Sequence, residues 1–422
     1  MRVSQDGAFL LHDDGSTFFY LADTAWELLH RLTREETDFY LATRARQRFT
    51  VIQAVILAEQ DGLRTPNAYG QVPLHDLDPA RPNDGYFKHV DYVVARAAEL
   101  GLTMGLLPTW GDKVSGGGAG PVVFNHDNAR TYGEFLGRRY RDWPIIWILG
   151  GDRRIGSAKN LLTWRAMAHG IRAAGGRPLM TFHPDNGSSS AQVHGEDWLD
   201  FHMLQSSHVG HDKPNWAWIE LDRARVPARP VLDGEPNYED HPVVDAQWKP
   251  TGEWFDDYDV RKQAYRPLLA GACGHTYGCH GVWQMWDGVR PPSNLPRTPW
   301  REALELPGAR QMQHVRALFE ARDWRKLVAD QSLAVGDKGK GPDHIRAARA
   351  ADGSYAYVYL PKGGQVTMDV NRLAGSTQAG TPTARWYDPR TGQYSQAQPL
   401  PSGQPALQAP DDRDWVLVVE RR

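Results

Sequence analysis

Ile145-Ile146-Trp147-Ile148-Leu149-Gly150-Gly151-Asp152 and Arg229-Pro230-Val231-Leu232-Asp233-Gly234-Glu235 decide how this chain is read. Each is a short apolar run of β character that passes through glycine and closes on a carboxylate. A buried parallel strand ending this way delivers an acid to the open mouth of a barrel, where the C-terminal strand ends hold the chemistry. Two such acids on different strands make a pair of the kind that cleaves glycosidic bonds.

Working outward, strand-like and helix-like runs alternate. Strands are expected at 18–22, 50–57, 103–108, 145–149, 178–182, 200–204, 230–232 and 278–283. Helical patterns fall at 33–48, 86–100, 126–141, 158–174, 213–224, 257–271 and 308–325, and the segment between the fifth and sixth strands is the weakest. Thr33 with Glu36 forms a capping box, Asn125 or Asp127 can cap the third helix, and Gly101 and Gly175-Gly176 supply stops. Eight units in this order predict an α/β protein, a (β/α)8 TIM barrel over 1–335 with an N-terminal β-hairpin at 8–21. A doubly wound open sheet competes, but no Gly-x-Gly-x-x-Gly turn follows the first strand. From about Lys338 the texture becomes short β runs at 345–350, 355–360, 366–370, 383–388 and 415–420. These predict a small antiparallel β-sandwich over 336–422, joined through 336–342.

Composition narrows the function. A net charge of −3 offers no basic surface for nucleic acid or anionic lipid. No run nears the roughly 20 apolar residues of a membrane span. The opening Met1-Arg2-Val3-Ser4-Gln5-Asp6 has no apolar h-region, so no secretory signal is read there. Two cysteines, Cys273 and Cys279, make no disulfide framework. Sixteen Trp and 16 Tyr supply flat faces that stack on sugar rings, and large barrels also bury such residues in their cores.

The predicted mouth gathers Asp23, Thr24 and Trp26 after strand 1, Glu59 and Gln60 after strand 2, and Trp110 and Asp112 after strand 3. Asp152, His183, Gln205, His208 and Glu235 follow strands 4 to 7, with Tyr277, Trp283 and Trp286 near strand 8. Asp152 and Glu235 are the catalytic candidates. Asp23, Trp26, Trp110, His183, Gln205, His208, Tyr277, Trp283 and Trp286 are the substrate-binding candidates. Structural alternatives exist: Asp152 as a cap on the helix starting near Ser157, and Glu235 as an ion-pair partner of Arg153 or Arg229. Cys273-x-His275-x3-Cys279-His280 and the set His202, His208, His211 match no zinc spacing, so no metal is expected. No P-loop, dinucleotide fingerprint or Gly-x-Ser-x-Gly elbow is present, so no cofactor is expected. Ser206-Ser207 leaves a carbohydrate esterase as a rival. A barrel that binds sugar without cleaving it is another.

The segments Phe18-Phe19-Tyr20-Leu21-Ala22-Asp23-Thr24-Ala25-Trp26, Trp147-Ile148-Leu149-Gly150-Gly151-Asp152, Phe182-His183-Pro184 and Asp233-Gly234-Glu235-Pro236-Asn237-Tyr238-Glu239 resemble glycoside hydrolase family 140, the apiosidase-like enzymes of bacterial pectin degradation. The similarity spans nearly the whole chain, since the C-terminal β region resembles the collagen-binding-like module found beside such barrels. The resemblance implies retaining hydrolysis with Asp152 as acid/base and Glu235 as nucleophile. It also implies a terminal apiose or similar pentofuranose on a plant cell-wall oligosaccharide or polysaccharide as substrate. Family members are usually exported, which sets the resemblance against the missing signal and leaves localisation open. Related barrels commonly end strand 4 with Asn-Glu, whereas this chain has Gly-Asp, a shorter acid on a different backbone.

Overall fold

The computed structural model describes residues 1–373 and 381–421, and within them eight parallel strands close a barrel. They are β1 (Tyr20–Thr24), β2 (Val51–Val55), β3 (Thr103–Leu107), β4 (Ile145–Gly150), β5 (Met180–His183), β6 (His202–Gln205), β7 (Val231–Asp233) and β8 (Gly274–Tyr277). Continuous pairing runs β8-β1-β2-β3-β4-β5, and β6 pairs with β7 in parallel from His202↔Val231. The two seams are bridged by backbone hydrogen bonds, Asp200 N to Met180 O and Cys273 N to Val231 O, both 2.8 Å. The strands are buried on both faces, as a helix-covered parallel sheet requires. Alternate residues divide between two packing layers. Val51, Val55, Ile146, Ile148, Met203 and Leu232 fill the barrel. Ile52, Ala54, Met104, Leu106, Trp147 and Leu149 meet the helices.

Those helices are α1 (Arg34–Arg46), α2 (Asp84–Glu99), α3 (His126–Tyr140), α4 (Ala158–Gly175), α5 (Asn215–Arg223), α6 (Asp257–Leu269) and α7 (Pro307–Glu320). The Thr33–Glu36 capping box is formed, and Asn125 caps α3. Between β5 and β6 only a 3-10 turn, Ser190–Val193, stands in the helical position. Among the described residues no helix is long and apolar enough to cross a membrane.

The eighth strand corrects the sequence reading. It is Gly274–Tyr277, paired Gly274↔Tyr20 through Tyr277↔Asp23, while His280–Trp283 forms a short helix. Glycine and histidine hide the true strand from β propensity, whereas the apolar Val282-Trp283 mimics one. At the N-terminus the hairpin pairs Leu10–Leu11 with Thr17–Phe18, and the barrel strand starts separately at Tyr20.

The C-terminal region is two antiparallel sheets. The larger follows the order Leu327–Ala329, Arg346–Ala350, Tyr355–Leu360, Trp415–Glu420 and Thr383–Asp388, with Gln393–Tyr394 and Gln398–Pro399 both on the last. The smaller joins Ala334–Val335, Gln365–Met368 and Ala406–Gln408. Both sheets therefore take a strand from before residue 336. Tyr355, Tyr357 and Tyr359 face the barrel, while Ala356, Val358 and Leu360 face the smaller sheet. Tyr357 Oη donates to Leu318 O at 3.0 Å, and Tyr359 stacks on Tyr265 of α6 at 5.1 Å.

Candidate active site

Asp152 leaves β4 on an unusual backbone. Gly150, Gly151 and Asp152 all have positive φ, at 86°, 119° and 52°. A Cβ on Gly150 would lie 2.2 Å from His183 O, and one on Gly151 would lie 2.7 Å from the Trp110 ring. Only glycine fits both places. The turn is zipped to its neighbours by Gly151 N to His183 O (3.0 Å) and Gly111 N to Gly151 O (3.1 Å). Asp152 Oδ1 accepts from Gln205 Nε2 at 3.1 Å, and Oδ2 from Arg153 Nη1 at 2.8 Å. Ser157, not Asp152, caps α4. Burial in the cavity, and then the charge of Glu235, push the Asp152 carboxyl up; Arg153 and Gln205 oppose them.

Glu235 sits just beyond β7 with a histidine at each oxygen. His183 Nε2 lies 3.0 Å from Oε2, and His208 Nε2 lies 3.2 Å from Oε1. No arginine pairs with Glu235 among the described residues. Burial acts to raise its carboxyl, but the two rings outweigh it and hold the group at about 2. Asp233, the last residue of β7, fixes the approach: its Oδ1 accepts from Glu235 N at 3.3 Å, and its Oδ2 accepts from Ser206 Oγ at 2.6 Å and Asn215 Nδ2 at 2.9 Å. Ser206 is thus committed to Asp233 and does not line the cavity.

Both acids line one cavity of about 110 Å³, together with Trp26, Glu59, Trp110, Gln205, His208 and Trp283. Trp26 and Trp110 pack at 5.3 Å, each within 5.7 Å of the His183 ring, so His183 supports the wall and Glu235 from behind. Four residues expected as substrate contacts do not line the cavity: His183, which stands behind its wall, and Asp23, Tyr277 and Trp286. Asp23 faces outward from β1 into a fully buried ion pair with Arg44 (2.7 Å) and a hydrogen bond from Tyr40. Tyr277 faces outward from β8 and donates to Glu239 Oε2 at 2.5 Å. Strand alternation accounts for both, since Tyr20 and Ala22 take the inward positions of β1. Trp286 lies on the loop after β8 and donates to Arg290 O at 3.1 Å, pinning that loop.

Tyr238, His241, Trp248 and Asn294 line the cavity without having been read as contacts. Trp248 sits between the strands Pro242–Val244 and Pro250–Trp254, an insertion between β7 and α6. The signal in the sequence was a lone tryptophan in the polar run Asp245-Ala246-Gln247-Trp248-Lys249, and the structure leaves its ring half-exposed at the mouth. Among the described residues no group of three or more His, Cys, Asp or Glu is placed to hold a metal ion. His202 bonds Ser190 (3.0 Å) and His211 bonds Asp259 (3.0 Å).

Comparison with known proteins agrees with this geometry. The family model described as "Apiosidase-like, catalytic domain" matches residues 4–326, and a collagen-binding-like domain described from a collagenase matches 328–420. A solved glycoside hydrolase is 32% identical, covering 100% of this chain and 96% of its own, with a TM-score of 0.90. A glycoside hydrolase family 5 protein from Bacteroides vulgatus is 31% identical over 100% of this chain and 93% of its own, with a TM-score of 0.89. An endo-1,4-β-D-mannanase from Thermotoga petrophila, 17% identical over 72% of this chain and 100% of its own, shares the barrel fold at a TM-score of 0.51. No curated protein matches the chain. A barrel that brings two strand-end carboxyl groups to one aromatic-walled cavity, matched over most of its length by one family, is a glycoside hydrolase, and the chain belongs to the apiosidase-like family.

Proposed function

We propose that this glycoside hydrolase removes a terminal pentofuranose, apiose or a close relative, from a pectic plant cell-wall glycan with retention of configuration. One observation carries the reading: Asp152 and Glu235 line the same cavity, and their surroundings drive their proton affinities apart. Such a divergence assigns the acid and the base of a pair. Glu235, ionised, attacks the anomeric carbon while Asp152 gives its proton to the leaving oxygen. A glycosyl ester on Glu235 results. Asp152, now a carboxylate, takes a proton from water, and the resulting attack frees the sugar and restores both groups.

The size of the cavity supports removal of one terminal ring. About 110 Å³ is well below the roughly 300 Å³ at which pockets hold drug-sized ligands. Trp26, Trp110 and Trp283 offer faces for the ring, and Gln205 and His208 offer polar contacts. The apiosidase-like family match supports the choice of sugar.

The test is NMR of the first sugar released from apiose-terminated pectic oligosaccharides. The expected first anomer keeps the configuration of the bond cleaved. An inverted first product contradicts double displacement, and release of internal fragments contradicts action at a terminus.

A further inference from the structure

Glu59 follows β2 and lines the cavity beside Asp152 and Glu235. The acids around it all have partners. Glu27 meets His30 at 2.9 Å and accepts from Gln60 N at 3.1 Å, and Asp112 meets Lys113 at 2.8 Å. Asp152 has Arg153 and Gln205, and Glu235 has its two histidines. No hydrogen bond or ion pair reaches the Glu59 carboxyl among the described residues. The backbone beside it is held in place. Glu27, fully buried, holds the backbone at Gln60 and places a negative charge behind the neighbouring side chain.

We propose that Glu59 is a substrate-binding residue that donates its carboxyl O–H to a hydroxyl of the sugar held against Asp152 and Glu235. It would thereby select sugars that carry oxygen at that position. The proposal rests on the reading of the site given above and deepens it. The neighbouring carboxylates are engaged with their own partners, so the Glu59 O–H has no acceptor in the protein, and a sugar hydroxyl supplies one. The groups facing it are Asp152 and Arg153 from the end of β4, Glu27 from the loop after β1 and Asp112 from the loop after β3. Burial first, then the charges of Asp152 and Glu27, push its carboxyl up to about 8, with Arg153 alone among the nearby groups opposing. Near neutrality it is therefore a donor, while Glu235 is an anion.

Two readouts test this. The first needs no substrate. Unfolded, Glu59 releases its proton near the ordinary 4.5; folded, it holds the proton to about 8. Its contribution to stability is then full below 4.5 and is lost as pH rises through 8. Glu59→Gln has nothing to ionise, so its Tm should climb relative to the wild type across that window and run parallel below it. A difference that stays flat overturns the proposal. The second readout is hydrolysis of 4-nitrophenyl β-D-apiofuranoside. Glu59→Ala is expected to raise KM roughly 10-fold or more with a smaller change in kcat, the scale of one lost buried hydrogen bond. Glu59→Gln, whose amide donates from the same place, should recover most of that loss. An unchanged KM in Glu59→Ala overturns the proposal. If the wild type does not cleave this glycoside, the choice of sugar fails, and the same KM comparison is made on a glycoside that the wild type does cleave, where an unchanged KM in Glu59→Ala again overturns the role of Glu59.

Discussion

Glu235 is held ionised, though largely buried, because two imidazoles face its two oxygens, while the Asp152 side chain, held by Gln205 and Arg153, feels the charge of Glu235. His208→Phe separates these effects: it keeps an aromatic ring against His241, now 4.2 Å away, and removes the hydrogen bond to Glu235. Losing one charge-assisted hydrogen bond is expected to cost roughly 10- to 100-fold in kcat/KM. The pH dependence follows in sign. Glu235 is ionised above about 2 in the wild type, so the acid limb should move upward in the variant. The same group contributes stability that is present above 4.5 and lost as pH falls through about 2, so acid unfolding of the variant should begin at a higher pH. A kcat/KM profile and acid melts check both. The positions of His183 and His208 at the mouth were legible, because each closes or follows a β run. Their service to Glu235 was not, because that contact joins the ends of three separate strands.

At the scale of elements, the turn after β4 determines where the acid sits. Three successive residues of positive φ are tolerable only because two are glycine and the third is aspartate. Gly150→Ala is expected to lower stability by roughly 1–3 kcal/mol through backbone strain. It should also abolish most activity, because the new Cβ would displace the His183 carbonyl and with it the Asp152 turn. Denaturant unfolding and hydrolysis assays measure the two effects; wild-type behaviour in both would remove the turn from the account. The sequence disclosed β4 and β7 through unbroken apolar runs ending in Gly and acid. It obscured β8, whose Gly274-His275-Thr276-Tyr277 has little β character. Asp23 and Tyr277 were misplaced for a related reason: the face a strand residue takes depends on register, which one residue shifts. The Pro242–Trp254 insertion escaped because its strands acquire their pairing only from each other.

For the whole molecule, the sandwich is bound to the barrel by a tyrosine face and a buried charge network. Asp414 accepts from Arg261 Nε and Nη2 at 2.9 Å each, and from Arg390 Nη1 at 3.2 Å. Both Arg261 and Asp414 are almost wholly buried. Asp414→Ala removes these charge-assisted bonds while Arg261 keeps Asp257 and Arg390 keeps Asp388, so it is expected to cost roughly 1–3 kcal/mol. Calorimetry should show a lower Tm, with KM little changed because the cavity is formed by barrel residues. The change in texture near residue 338 revealed the second region. That Leu327–Ala329 joins its larger sheet did not show, because a run this short does not read as a strand without its partner Arg346–Ala350.

The central claim is that Asp152 and Glu235 act on opposite sides of one bond, and a trapped intermediate tests it most directly. Asp152→Asn, rapidly quenched during turnover of an aryl apiofuranoside with a good leaving group, should carry one sugar in ester linkage on the peptide containing Glu235, seen by mass spectrometry. An adduct on a different side chain, or undiminished steady turnover with no adduct, would contradict the account.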